Sequence, residues 1–153
     1  DFLKQEAICV QVDAGSSEDI IRLLGGKLYA LGFVKDGFIE ATLAREASMP
    51  TGLPLGGEFN AALPHVDIEY VNQSALALAT LTQPVDFMNM VDDQEKVPVR
   101  LVIMLALDQP KSQIAMLQEV SRILQKPDIV SQLVAAENSA EVISILSSPS
   151  DTA

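Results

Sequence analysis

Histidine and cysteine each occur once in this chain, as His65 and Cys9. A lone cysteine excludes an internal disulfide framework and suits a reducing cytosol. Beside a strand-like run, Cys9 reads as a buried, inert thiol rather than a nucleophile. One histidine and no cysteine pair leave no His/Cys metal cluster, so no metal is expected. Glycine-rich phosphate loops of the Walker or dinucleotide type are missing, and no other cofactor is expected. Leu24-Gly25-Gly26-Lys27 lies inside a helical stripe and has the wrong spacing for such a loop. A nucleophile elbow of the form Gly-x-Ser-x-Gly is also missing, which disfavours an acyl-transfer hydrolase.

Long apolar runs are lacking too. The longest, Leu101 to Leu107, falls well below the roughly 18 residues of a membrane span, so no direct membrane insertion is expected. The start, Asp1-Phe-Leu-Lys, has neither an initiator Met nor a signal peptide and reads as a trimmed, soluble, cytoplasmic protein. Basic residues are few: ten Lys and Arg stand against twenty-one Asp and Glu, a net charge of −11. Nothing here makes the basic stripe that a phosphate backbone demands, so nucleic acid is excluded as a partner. The acidity would steer the chain toward a basic partner face, or simply keep it soluble.

What is present is an ordinary globular composition over 153 residues, enough for one domain with its own core. Ile8, Val10 and Val12 alternate with Cys9 and Gln11, the period of a half-buried strand. Ser16 or Ser17, followed by Glu18 and Asp19, caps a helix over about 17–32, with Ile20, Leu24, Leu28 and Leu31 on its inner stripe. Asp36 is placed to cap a second helix, which ends near Glu46 or Ser48 and is stopped by Pro50-Thr51-Gly52. Ala61-Ala62-Leu63 is a short extended piece, and Pro64 puts His65 at a strand end. Ala75 to Leu81 alternates small and large residues with period two and reads as a strand, with Pro84 just beyond it. Val99 to Leu107 reads as a central strand covered on both faces. Ile114, Leu117, Val120 and Leu124 form one helical stripe, Pro127-Asp128 opens a further helix, and Asn138 with Glu141 resembles a capping box for the last. Residues 146–153 read as a frayed tail. The result is one α/β domain over 1–153, a sheet with helices on both faces.

The candidate chemistry is narrow: a Pro-His at a strand end, an arginine at a helix end, and a turn between them. A lone histidine is more often structural than catalytic, but a rigid strand end beside a loop is where reactive groups are displayed.

Arg45-Glu46, Pro50-Thr51-Gly52-Leu53 and Ala61-Ala62-Leu63-Pro64-His65, in that order, resemble the mannitol/fructose class of IIA domains of the bacterial phosphoenolpyruvate-dependent phosphotransferase system (PTS). Gln83-Pro84-Val85-Asp86-Phe87 and Val99 to Ala106 extend the resemblance, which covers roughly Ile8 to Leu146. Ala44-Arg45-Glu46-Ala47, Leu63-Pro64-His65 and Leu124 to Val130 are most similar to the galactitol-type branch. Many members carry a second histidine where this chain has Gln113, and the galactitol-type branch tolerates glutamine there.

The resemblance implies a mixed, five-stranded sheet and a carrier reaction. Phosphate passes from the histidine phosphocarrier protein HPr to His65, then to a cysteine of the IIB component, which works with the membrane component IIC on galactitol or a related sugar alcohol. A regulatory IIA-like module of a nitrogen-related phosphotransfer chain is the alternative. Neutral imidazole suits this chemistry as a nucleophile whose N–P bond stays labile. Asp67 and Glu69 are open as partners for its second nitrogen, or are solvated loop charges. Arg45 matches the residue whose guanidinium would meet the phosphoryl oxygens; as a bare residue it would be a surface arginine paired with Glu46 or Glu40. Gln113 either donates a neutral hydrogen bond to a phosphoryl oxygen or is an ordinary helix-start glutamine.

Overall fold

Alternating strand and helix signals resolve into a layered structure in which a sheet separates two helical groups. The computed structural model describes residues 3–147, apart from the side chains of Ser112 and Gln113. The elements, in order, are β1 (Leu3–Val12), α1 (Ser17–Ala30), α2 (Phe38–Ser48), β2 (Gly52–Leu53), β3 (Ala61–Ala62), β4 (Ala75–Met88), β5 (Lys96–Ala106), α3 (Pro110–Leu124), α4 (Pro127–Ala135) and α5 (Ser139–Ser147). The sheet has five strands in the order β1-β4-β5-β3-β2. β1 runs parallel to β4, β4 antiparallel to β5, β5 parallel to β3, and β3 antiparallel to β2, so the sheet is mixed.

The small/large alternation of β4 has a packing cause. Ala75, Ala77 and Ala79 face the α1–α2 side, in one core with Ile20, Leu24, Leu28 and Phe38. Leu78 faces the opposite core, with Val130, Leu133 and Val142 from α4 and α5. Small side chains let α1 approach the sheet, and large ones fill the wider space on the other face. The two helices of the first layer also meet closely: a Cβ added at Gly25 would lie 2.6 Å from Ile39 Cγ1.

Several expectations are corrected by local geometry. Gln11 adopts φ 53, and the register of β1 on β4 shifts between Cys9 and Val12. That bulge sends Val12 to the face of Cys9 rather than that of Ile8 and Val10. Cys9 is half-buried rather than buried, and burial pushes its thiol pKa up. Leu31 lies past the last turn of α1 and is 39% exposed, off the expected stripe. Asp36 does not cap α2: its carboxylate takes the Tyr29 hydroxyl, and Gly37, at φ 90, occupies the cap position. β4 does not stop at Leu81. It runs through Pro84 to Met88, and the missing N–H of Pro84 falls in an irregular stretch, between the pairs Thr80–Leu101 and Val85–Val99. Arg100 Nε donates to Leu81 O at 2.6 Å across that irregularity.

Ser16 caps α1, its Oγ accepting from Asp19 N at 3.2 Å, and in the last third Asn138 Oδ1 likewise accepts from Glu141 N at 2.9 Å. Ile114 drops out of its predicted stripe at 62% exposure, while Val120 and Leu124 are buried. Leu146 and Ser147, expected to begin the tail, close α5, because Leu146 packs on the second core. The rest of that tail, 148–153, lies outside the described residues.

Ala77 is fully buried against the α1 side. Ala77→Leu should therefore destabilise the fold by about 1–3 kcal/mol through overpacking, as chemical denaturation would measure. A neutral result would mean that the α1 side has room to spare.

Candidate functional site

The short strand β3 is the scaffold of the candidate site. Ala61 and Ala62 pair with Leu101 and Val102 in the middle of β5, and both are fully buried. The chain continues along β5: Leu105 N donates to Pro64 O at 3.0 Å, and His65 bridges Leu105. Pro64 supplies a carbonyl to β5 and, as a proline, donates no N–H to the ladder. His65 is thus held at the sheet end by main-chain bonds on its own segment, and its side chain is half-buried.

The ring is fixed by a second contact. His65 Nδ1 lies 2.8 Å from Leu63 O. A carbonyl oxygen can only accept, so in the neutral ring Nδ1 carries the proton and Nε2 keeps its lone pair. Neither Asp67 nor Glu69, the two candidates for that partner, takes the role. Burial is the main cause that holds the imidazole below its ordinary pKa, and the positive charge of Arg45 adds to it. The bond to Leu63 O and the charge of Asp67 act in the opposite sense, more weakly in sum.

Arg45 sits in the last turn of α2, which brings it to the same end of the sheet. Its Nη1 reaches Asp67 Oδ1 at 3.5 Å, two residues beyond His65. The pair is long and water-exposed on the carboxylate side, so it adds little stability. The Nε of Arg45 is buried and has no hydrogen-bond partner among the described residues. A buried, unpartnered guanidinium donor is costly unless something accepts from it. The surface pairings open to Arg45 from sequence are both taken by others: Glu40 pairs with Arg22 at 3.0 Å, and Glu46 turns to Thr51.

Glu46 accepts the Thr51 N–H and the Thr51 hydroxyl, each at 2.8 Å. Thr51 O in turn accepts from Leu63 N at 3.3 Å. From sequence, Thr51-Gly52 is only the stop of α2, and Glu46 only a partner open to Arg45. The Arg45-Glu46 pair ahead of Pro50-Thr51 was the available signal. Gly52 is required by close approach, since a Cβ there would sit 2.5 Å from Met88 O.

Gln113 lies in the first turn of α3 by backbone, and its side chain is outside the described residues. That helix begins a few residues past Leu105, the partner of His65, so its first turn starts from the same end of the sheet. The connection is held by Ser74, whose hydroxyl donates to Asp108 Oδ1 at 2.8 Å and accepts from Asp108 N at 3.0 Å. Among the described residues, no helix is long and apolar enough to cross a membrane.

Comparison with known proteins places this arrangement. Residues 1–148 match the family described as phosphoenolpyruvate-dependent sugar phosphotransferase system, EIIA 2. The galactitol-specific EIIA component of the PTS from Escherichia coli (strain K12) is 35% identical over 116 residues, 76% of this chain and 76% of that protein. The crystal structure of IIA mannitol from Escherichia coli superposes with a TM-score of 0.78 at 25% identity, covering 94% of this chain and 98% of that one. A solution structure of the complex of enzyme IIA mannitol and phosphorylated enzyme IIB mannitol, also from Escherichia coli, matches with a TM-score of 0.77 at 25% identity over 94% and 97% of the two chains. The fold, the family match over nearly the whole chain and the galactitol-type relative agree: this protein belongs to the type 2 EIIA family of the PTS, phosphotransferases that carry phosphohistidine.

Proposed function

We propose that residues 1–153 act as one phosphocarrier domain, in the cytoplasm, that accepts phosphate from HPr on His65 Nε2 and passes it to a cysteine of a IIB component. The sugar served is galactitol or a related sugar alcohol. One observation carries this reading: an imidazole whose Nδ1 faces Leu63 O, leaving the lone pair on Nε2, stands at the same sheet end as a guanidinium whose buried Nε has no acceptor among the described residues. The sugar class is supported by the galactitol-specific relative, and the IIB partner by the solved complex of IIA and phosphorylated IIB mannitol enzymes.

The chemistry follows from these groups. The Nε2 lone pair attacks the phosphorus carried by HPr; the new N–P bond forms as the bond to the HPr imidazole breaks. Arg45 donates to the phosphoryl oxygens, where negative charge spreads in the transition state, and a phosphoryl oxygen supplies the acceptor that its Nε lacks. Gln113 contributes a neutral donor from the first turn of α3. In the second step a IIB thiolate attacks phosphorus, the P–S bond forms, and the electron pair returns to Nε2, leaving the imidazole neutral again. No external oxidant or proton donor is needed for that return.

The direct test is incubation with phosphoenolpyruvate, enzyme I and HPr, followed by mapping of an acid-labile phosphate and transfer to a galactitol-type IIB. His65→Ala should abolish labelling while the fold persists, and labelling that survives would sink the assignment. Labelling without transfer to IIB, together with phosphorylation-dependent binding to a regulator, would move the protein to the regulatory alternative.

Arg45→Lys keeps the charge but loses the planar fork, so both Arg45→Lys and Arg45→Ala should slow phosphorylation with little change in Tm. Wild-type kinetics in both variants would reduce Arg45 to a surface residue.

Because the His65 pKa lies below the ordinary ~6.5, the ring is mostly neutral at and above that pH. The acceptance rate should be flat on the alkaline side, from about pH 7.5 to 8, and fall on the acid side as Nε2 protonates. Arg45→Ala removes a nearby positive charge and should move that fall to higher pH; Asp67, the facing carboxylate, acts in the opposite sense. A rate that climbs with pH above 7.5 would mean that the ring is not the titrating acceptor.

Gln113→Ala should cost only a modest factor in transfer rate, since one neutral hydrogen bond is worth about 0.5–1.5 kcal/mol. Gln113→His should make transfer more pH-dependent between about pH 6 and 8. Superimposable rate–pH profiles for the two variants and wild type would put Gln113 outside the site.

A further inference from the structure

A continuous run of hydrogen bonds connects a carboxylate on α2 to the imidazole. Glu46 Oε2 accepts Thr51 N–H and Oε1 accepts Thr51 Oγ1–H, both at 2.8 Å. Thr51 is nearly fully buried, at 3% exposure. Its carbonyl accepts Leu63 N–H at 3.3 Å, and the Leu63 carbonyl accepts His65 Nδ1–H at 2.8 Å. From its other side the turn is wedged by β4, since Gly52 leaves no room for a side chain against Met88 O. Two consecutive α2 residues therefore divide the work. Arg45 points toward Asp67, two residues beyond the imidazole, and Glu46 points back to the Thr51 turn.

We infer that Glu46 is a positioning residue for phosphoryl transfer, acting through Thr51 and the Leu63 carbonyl to hold the His65 ring with Nε2 unprotonated. The inference rests on the reading of His65 as the phosphoryl acceptor. A carboxylate is a costly way to close a helix end, because removing it from water must be offset by hydrogen bonds. Here burial pushes its pKa up, against the two Thr51 bonds and the charge of Arg45. An apolar residue would pack there at lower cost, but it could not grip both polar atoms of Thr51. What the carboxylate adds is a fixed orientation for the Thr51 peptide, and hence for the Leu63 peptide that sets the tautomer.

The chain has one histidine, so its ring nitrogens can be read without overlap by 15N NMR of histidine-labelled protein. Wild type should show the Nδ1–H tautomer. Glu46→Ala should show a mixed population with Nε2–H gaining, and phosphorylation by phospho-HPr slowed by about tenfold or more, as misplacement of a reacting group costs. Glu46→Gln should restore both, because its amide oxygen accepts Thr51 N–H and its NH2 donates to Thr51 Oγ1. A loss of packing alone would lower Tm without changing the tautomer. An unchanged tautomer and rate in Glu46→Ala, or equal damage in Glu46→Ala and Glu46→Gln, would overturn the inference. If Glu46→Ala does not fold, Thr51→Val takes its place: it removes the hydroxyl bond alone, and should give a smaller shift of the same kind. No shift in that variant would also overturn the inference. Wild-type protein that accepts no phosphate would count against the phosphocarrier reading, while the tautomer comparison would still decide the role of Glu46.

Discussion

A carbonyl oxygen accepts and never donates, so the 2.8 Å contact between Leu63 O and His65 Nδ1 determines where the imidazole proton sits. Everything else at this end of the sheet makes that contact available. Pro64 and Leu105 share a main-chain bond that extends β3 past its two paired residues, and Leu63 N is taken by Thr51 O. Leu63 is therefore held at its N–H by Thr51, and the chain just past its carbonyl is held by the bond of Pro64 O to Leu105 N. An imidazole bonded to a mobile carbonyl would rotate and exchange tautomers; one bonded to a pinned carbonyl presents a single nitrogen.

The pinning is possible because the sheet end is rigid for independent reasons. β5 is buried on both faces from Leu101 to Ala106, and the alanine face of β4 draws α1 close. Beyond the register shift between Thr80 and Val85, β4 runs on to Met88, whose carbonyl oxygen closes on Gly52. The turn carrying Thr51 is thereby held between β4 and α2, and the end of α2 brings Arg45 to Asp67, two residues past the imidazole. A reactive ring in a half-buried, desolvated position would cost stability if it had to carry charge. Its depressed pKa keeps it neutral at physiological pH, which is also the state a nucleophile needs.

Much of this was legible in the residues. The period-two run from Ala75, the continuous apolar run ending at Leu107 and the proline before His65 each follow from strong local rules. Together they give a mixed sheet with helices on both faces, as found. The misses have physical causes of a different kind. Gln11 shifts the face of Val12 by adopting a positive φ that no local signal announces. The continuation of β4 through Pro84 depends on a register shift against β5, which only the pairing of distant segments creates. Asp36 had a better partner in Tyr29 than in the helix it precedes. At the site, the order Arg45, Thr51, Pro64-His65 could be read, but the function of Glu46 could not. Its partners lie on a turn, and the consequence of its two bonds emerges two hydrogen bonds farther on.

The central claim is that the free nitrogen of a pinned imidazole is the atom that carries phosphate. Phosphorylating 15N-histidine-labelled protein with phosphoenolpyruvate, enzyme I and HPr, then recording 15N–31P coupling on the single histidine, tests it most directly. The phosphorus should be found on Nε2, with Nδ1 still protonated and bonded to the Leu63 carbonyl. Phosphorus on Nδ1, or on any residue other than His65, would contradict it.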